Sequence, residues 1–360
     1  MGSQSSRGPK LLALVTEALG GEGGIAQYNR DLLGALSQDW SVAALVRLSA
    51  HSADKEAYHQ YGPIPSRLHY SLRAIELAVR FRPSVVFNGH IYLTPLSLLV
   101  ARLVGAKLVT QFHGTEVWQN PGWLRNATAS HSDRVLAVSN HSLEQAEAWI
   151  KFKETAVLGN TFRSMFEPGD RGAARLRYAP ESRYVVLTVG RLDSRGGYKG
   201  HDRVIEALSK WSEPNWLYLV AGKGPDRPRL EDIARRARVH DKVRFLGYVE
   251  DAELPSLYQA ADLFALPSSG EGFGIVYLEA MACGTDAIGL KIGGATSVLA
   301  ESRLGLASEP EEFEQDMLRR LELARSRTPT ERSAYALEVK SMFGRQAFAN
   351  RAREVFSGLV

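Results

Sequence analysis

Apolar residues along the chain come in short unbroken runs, separated by longer stretches in which they recur every three or four positions. In the first half the runs are LLALVT from Leu11, VAALVR from Val42, SVVFN from Ser84, KLVTQF from Lys107, RVLAVS from Arg134 and TAVLGN from Thr155. Between them lie GIAQYNRDLLGALS, RLHYSLRAIELAVRF and SLEQAEAWI, which have the helical period. A strand with one wet face alternates apolar and polar residues, whereas a run apolar throughout is buried on both faces. Such runs alternating with helices predict parallel strands joined by right-handed crossovers, a doubly wound α/β domain. The stretch TFRSMFEPGDRGAARLRYAPESR, from Thr161, is rich in Gly, Pro and Arg and reads as a linker. The pattern then restarts with YVVLTVG, WLYLVAG, VRFLGYV, LFALPS and AIGL, and from about Glu311 it reads as helix in at least three pieces. The predicted organisation is two Rossmann-like domains, residues 1–163 and 164–342. A last amphipathic helix, about 343–360, needs a surface and is expected to pack back on the first domain.

At 360 residues the chain exceeds one ordinary core, which agrees with two domains. Its 44% hydrophobic and 23% charged content is that of a soluble globular protein. The single cysteine, Cys283, excludes an internal disulfide and suits a reducing, cytoplasmic setting. The most apolar segment, IYLTPLSLLVARLVGAKLV from Ile91, contains Pro95, Arg102 and Lys107 and reads as a buried helix and strand rather than a membrane span. The start shows no signal-peptide core. MGSQSS fits a loose myristoylation pattern but reads as a tail. The net charge of +4 lies in the first half, where residues 1–163 have 16 Lys+Arg against 12 Asp+Glu, while the remainder has 28 of each. In RLHYSLRAIELAVRF, Arg73 and Arg80 share one side and Leu68, Leu72, Ile75 and Val79 oppose them. Two readings stay open: a peripheral contact with an anionic membrane, at its inner face, or a surface helix packed on the sheet. Nothing points to nucleic acid.

Parallel α/β sheets bind ligands beyond the carboxyl ends of their strands. After the first strand, Gly20, Gly21, Gly23 and Gly24 precede a helix, either as a phosphate cradle or as a tight turn. The spacing is not that of a dinucleotide fingerprint. After a middle strand stands His113 in HGTE, with His90 a second candidate. In VGRLDSRGGYKGHD, Arg191 leaves a strand and Lys199 opens a helix, an arrangement suited to a diphosphate. Gly222 and Gly224 form another turn. Gly247, Tyr248 and Val249 follow a strand and offer a backbone edge to a flat base. In SSGEGFGIVYLEAMACG, Glu271 lies in a loop and Glu279 in the following helix. An ionised carboxylate only accepts hydrogen bonds and repels phosphate. The two acids therefore read as clamps on polyol hydroxyls flanking a diphosphate rather than an acid–base pair.

These residues carry a resemblance. The stretch from Arg191 to Cys283 resembles retaining GT-B glycosyltransferases of the family-4 type (glycosyl transferases group 1). It has their GR…KG block, GxGP turn, V-x-F-x-G-Y-V segment and PS-x-x-E-G-F-G-x-x-x-x-E-A-x-A-C-G motif in order. The first half matches more loosely through GGEGGIAQYNRDLL, HGTE and DRVLAVSN. The resemblance implies a GT-B fold, two Rossmann-like doubly wound domains facing across a cleft, the first on the acceptor side and the second binding a nucleotide sugar. It implies that Arg191 and Lys199 bind the donor diphosphate, that Glu271 contacts the transferred sugar with backbone from Gly272, Phe273, Gly274 and Ile275, and that Glu279 binds ribose hydroxyls. Gly247, Tyr248 and Val249 would frame the base. Gly23 and Gly24 would approach the diphosphate, and His113 would lie near sugar and acceptor. No metal or other cofactor is implied, and no D-x-D follows a strand. The implied reaction moves a hexose, with retention, from a UDP- or GDP-linked sugar to a hydroxyl on a glycan, a lipid-linked glycan or a small molecule. Closure of the domains would exclude water. The chain departs from the family pattern in having Asp286 for Pro, Ser297 for the Glu of GG-x-x-E, and Asn160-Thr161-Phe162-Arg163 for N-G-V-D; SRGGY is inserted before Lys199. A nucleotide-sugar epimerase or hydrolase, and a non-catalytic nucleotide-sugar-binding relative, stay open as alternatives. A nicotinamide dehydrogenase is disfavoured by the glycine spacing.

Overall fold

The computed structural model describes residues 8–21, 23–48, 58–193 and 198–359. The MGSQSS start and Ser194–Gly197 of the SRGGY insertion lie outside the described residues. The unbroken apolar runs become strands: β1 (Lys10–Val15), β2 (Ser41–Val46), β3 (His59–Tyr61), β4 (Val85–Asn88), β5 (Lys107–Phe112), β6 (Arg134–Ala137) and β7 (Thr155–Val157). The periodic stretches between them become α1 (Gly23–Leu36), α2 (Arg67–Phe81), α3 (Thr94–Val104), α4 (Trp123–Ala129) and α5 (Asn140–Glu147). Further on come α6 (Arg171–Tyr178), β8 (Tyr184–Val189), α7 (His201–Ser209), β9 (Trp216–Ala221), α8 (Arg227–Arg236) and β10 (Val243–Gly247). They are followed by α9 (Leu254–Ala260), β11 (Leu263–Leu266), α10 (Ile275–Ala282), β12 (Asp286–Leu290), α11 (Ala295–Ala300) and β13 (Gly305–Ser308). Three helices close the chain: α12 (Phe313–Ser326), α13 (Pro329–Phe343) and α14 (Arg345–Ser357).

The strands form two sheets, ordered β3-β2-β1-β4-β5-β6-β7 and β10-β9-β8-β11-β12-β13. All pairings are parallel. Burial explains the apolar composition: β1 is buried from Leu11 to Val15, and β11 along its whole length. The described chain divides into two units. One runs to Thr161 and includes the residues from Arg345 on; the other spans Phe162–Gly344. In the first unit α14 packs on α1, and its Phe356 is fully buried with Trp40 and Phe87 beside it. No described helix is long and apolar enough to cross a membrane.

Two features depart from the sequence reading, and a third fills in what it left open. β3 and β13 are short edge strands, HQY and GLAS, with no apolar run to announce them. The stretch read as a linker is folded onto the second unit and contains α6. Only Ala174 of that helix is buried, so its apolar period is almost blank. Its anchor is electrostatic: Asp170 caps it by accepting from Ala173 N at 3.0 Å, and Arg171 and Arg175 both bind the carboxylate of fully buried Asp262. Phe162 and Phe166 are also buried, Phe166 edge-on against Tyr258 at 5.7 Å. The third concerns α2, which sits on the sheet through Tyr70, Ala74, Leu77 and Ala78 and leaves Leu68, Leu72 and Val79 outside.

Candidate functional site

In the second sheet the chain leaves β8 toward β9 on one side, while β11 lies on the other. A crevice therefore opens at the carboxyl ends of these two strands, where their loops diverge. The loop after β8 holds Arg191 and Lys199, and the loop after β11 holds Glu271. Backbone and side-chain bonds fasten the two together. Ser269 N donates to Tyr198 O at 2.9 Å, the Ser268 hydroxyl to the same oxygen at 3.1 Å, and the Tyr198 hydroxyl to Gly270 O. Gly200 sits at the joint with φ of 72°, and a Cβ there would lie 2.3 Å from Pro267 O, so only glycine permits the approach. A third loop joins through Gly294 N, which donates to Glu271 O at 2.7 Å.

Within this frame the Lys199 ammonium donates to Glu271 Oε1, forming an ion pair of which both partners are mostly buried. Read from sequence as a phosphate ligand and a sugar clamp, the two side chains hold one another. Arg191 is exposed, and among the described residues no ion pair engages it. Its backbone is fixed from below by the turn at Gly222 and Gly224. Leu192 N donates to Lys223 O at 3.0 Å, and side chains at the two glycines would collide with Gly190 O and Leu192 O at 1.8 and 1.9 Å. That turn is a packing necessity.

Glu279 occupies a different environment, on α10, with 5% of its surface exposed. Tyr258 Oη donates to its Oε2 at 3.0 Å, and Arg163 Nη2 lies 3.9 Å from its Oε1. Burial pushes its pKa up to about 7, and the Arg163 charge and the Tyr258 hydrogen bond oppose the rise. Arg163 is held in turn by Asp251 and by the Phe166 ring, 5.1 Å beneath the guanidinium. Sequence reasoning passed over Arg163, Tyr258 and Asp251 as site components. The one available signal was Arg163 itself, a cation where the resembling family has Asp. At the end of β10, Gly247 has φ of 71° and its carbonyl accepts from Gly222 N at 2.7 Å. Tyr248 is exposed beyond it with Lys223 Nζ 5.2 Å from its ring, and Val249 follows.

In the first unit the switch point lies between β1 and β4. Gly23 and Gly24 open α1 beyond β1 and are exposed, and His90 follows β4. His113, after β5, has its Nε2 3.0 Å from Gly89 O. A carbonyl only accepts, so Nε2 carries the proton and Nδ1 is the acceptor. Burial holds the imidazole below its ordinary range, hence neutral, and the Tyr28 ring lies edge-on at 5.1 Å. The backbone N–H of His113 donates to Glu116 Oε1 at 2.5 Å.

The two departures in the motif region also have places. Asp286 begins β12, at the end of the strand opposite the crevice. It is fully buried, with Arg320 Nε and Arg327 Nε each 2.7 Å from its carboxylate. Ser297 lies half-buried in α11. Among the described residues, no group of three His, Cys, Asp or Glu side chains is placed to hold a metal ion.

Residues 22–160 match the model of Glycosyltransferase Family 4, and residues 176–335 that of Glycosyl transferases group 1. A glycogen synthase of Mycobacterium tuberculosis is 29% identical over 248 residues, 64% of this chain and 57% of that one. A GDP-mannose-dependent phosphatidylinositol monomannoside mannosyltransferase of Mycolicibacterium smegmatis is 33% identical over 233 residues, 59% of this chain and 60% of that one. The chain thus spans less than two thirds of the length of these curated relatives. Among solved structures, Anabaena HepE in complex with UDP-glucose superimposes with a TM-score of 0.76 at 19% identity, over 97% of this chain and 99% of that one. Two adjoining family models across most of the chain, and a two-sheet architecture shared end to end with such a structure, lead to one conclusion: this chain belongs to glycosyltransferase family 4, the glycosyl transferases group 1, and has the GT-B fold.

Proposed function

We propose that the chain is a retaining glycosyltransferase that moves a hexose from a nucleotide diphosphate sugar, UDP- or GDP-linked, to a hydroxyl acceptor in polysaccharide, lipid-linked glycan or glycolipid assembly. The observation that carries the reading is the Lys199–Glu271 pair at the switch point, on loops pinned by Tyr198 and Gly200. An ammonium there binds a diphosphate, and a carboxylate beside it accepts from sugar hydroxyls; a donor has one group for each. Arg191 adds a second, exposed cation. The amides of Gly272, Phe273, Gly274 and Ile275 enter α10 beside Glu271 and support the sugar. Glu279 takes the ribose hydroxyls, and Gly247, Tyr248 and Val249 take the base. The first unit, with Gly23, Gly24 and neutral His113, serves the acceptor side. The relatives support the donor class: one is named for its GDP-mannose dependence, and HepE was solved with UDP-glucose.

In the reaction the bond from the anomeric carbon to the leaving phosphate oxygen breaks and a bond to the acceptor oxygen forms on the same face. The acceptor proton passes to the leaving phosphate oxygen, so no side chain need act as base. Lys199 and Arg191 lower the barrier by stabilising charge that develops on the diphosphate. Calorimetric titration with UDP-, GDP- and ADP-sugars identifies the donor. With that donor, Lys199→Ala is expected to lower turnover about 10²-fold. Wild-type turnover in the variant overturns the assignment.

A further inference from the structure

Lys199 and Glu271 project from loops whose backbones are fixed. Lys199 stands between Tyr198, whose hydroxyl donates to Gly270 O, and Gly200, which is closed against Pro267. Its Nζ lies 5.1 Å from the Tyr198 ring. The Glu271 carbonyl accepts from Gly294 N at 2.7 Å, and a Cβ on Gly293 would lie 2.9 Å from the same oxygen. With both backbones held, the pair parts by side-chain rotation alone. The two side chains are 20% and 15% exposed, so water does little to replace either partner. Among the described residues, no other ion pair engages either of them.

A ligand that takes one partner must therefore provide for the other. A carboxylate stripped of its cation at this depth is costly. An intact nucleotide sugar serves both groups, with phosphate oxygens for the ammonium and sugar hydroxyls for the carboxylate. The nucleoside diphosphate left after transfer serves only the ammonium. It also carries more charge. Loss of the sugar turns an ester oxygen into a terminal phosphate oxygen, and ionisation with a pKa of about 6 leaves that phosphate with about one further negative charge at neutral pH. The added charge arises where the sugar was attached, beside the carboxylate that held it.

We propose that Glu271, through its pair with Lys199, selects the intact donor against the nucleoside diphosphate product. Binding the product alone breaks the pair and sets a terminal phosphate against an unpaired carboxylate; the pair re-forms as the product leaves. This role rests on the donor contacts proposed above and has a consequence that they lack. A residue that only held the sugar would, on losing its charge, leave product affinity unchanged. A residue that also guards Lys199 would, on losing its charge, let the product bind more tightly.

The test is calorimetric titration of the full chain, at one pH and one salt concentration, with UDP against UDP-glucose and GDP against GDP-mannose. The wild type is expected to bind one of the two intact donors at least about tenfold more tightly than its nucleoside diphosphate. In Glu271→Gln, which keeps the shape and removes the charge, that nucleoside diphosphate is expected to bind about tenfold more tightly than in the wild type, while the donor weakens. Adding Lys199→Gln to this variant should abolish the gain. Circular dichroism and Tm establish that the variants are folded, and the wild-type comparison needs no variant. A wild type that binds product as tightly as donor overturns the proposal and leaves the donor contacts standing. So does Glu271→Gln with unchanged or weaker product affinity, or a gain that survives Lys199→Gln. A wild type that binds none of the four nucleotides refutes the donor reading and this role with it.

Discussion

Glu279 and Arg163 show how a single side chain gains its character from its surroundings. A carboxyl on a helix surface titrates near 4.5, whereas burial lifts this one to about 7, with Tyr258 and Arg163 pulling down and Asp251 pushing up. Because the folded-state pKa is raised, protonation favours the folded empty site. This group's contribution to stability is complete below the unfolded value and is lost as pH rises through about 7. Ligand binding runs the other way. Hydroxyl donors are held best by the ionised carboxylate, so affinity for a nucleotide sugar is expected to fall as pH drops through about 7. In Arg163→Gln the midpoint should move to higher pH, since the cation that stabilises the carboxylate is gone. Calorimetric Kd values from about pH 6 to pH 8 decide this, and a flat profile, or one unmoved by the variant, refutes it. The sequence located Glu279 through its motif. It did not reveal Arg163, 116 positions earlier, because that contact depends on how the stretch after Thr161 folds back over α9.

At the scale of elements, arginines hold what apolar burial alone does not. α6 has one buried alanine and two arginines on Asp262, and the start of β12 is tied to α12 and to the turn after it through Arg320 and Arg327 on Asp286. Removing the Asp286 charge leaves both guanidiniums, each about nine-tenths buried, without their counter-ion. Asp286→Asn is therefore expected to destabilise the second unit by about 3 kcal/mol. Because Asp286 stands at the far end of its strand from the crevice, nucleotide-sugar affinity should stay within about twofold at a temperature where the variant is folded. Urea unfolding and calorimetry measure the two quantities, and a large affinity loss without destabilisation would place Asp286 in the site. From sequence this residue was only a departure from a motif; the partners that give it a structural role lie 34 and 41 residues away.

For the whole molecule, the return of the chain to its first unit matters most. α14 brings Phe356 into the core beside Trp40 and Phe87, and Phe348 edge-on to Tyr28 at 6.0 Å. Phe356→Ala opens a cavity expected to cost about 3–5 kcal/mol. That loss should appear in the unfolding of the first unit alone, and scanning calorimetry should resolve a lowered transition beside an unchanged one. A uniform shift of both would mean that the units unfold as one. The sequence by itself determined the strands of both sheets apart from the short edge strands β3 and β13, the helical character of the closing segment and the glycine loops beyond the strand ends. Those properties follow from the local period of apolar residues and from glycines next to strand ends, which near neighbours can express. Tertiary structure decided what each charged group faces, Lys199 against Glu271, Arg163 near Glu279 and arginines on Asp262 and Asp286, and which residues of α2 meet the sheet. Such pairings join positions far apart in the chain, and only the packing of helices on sheets brings them within reach.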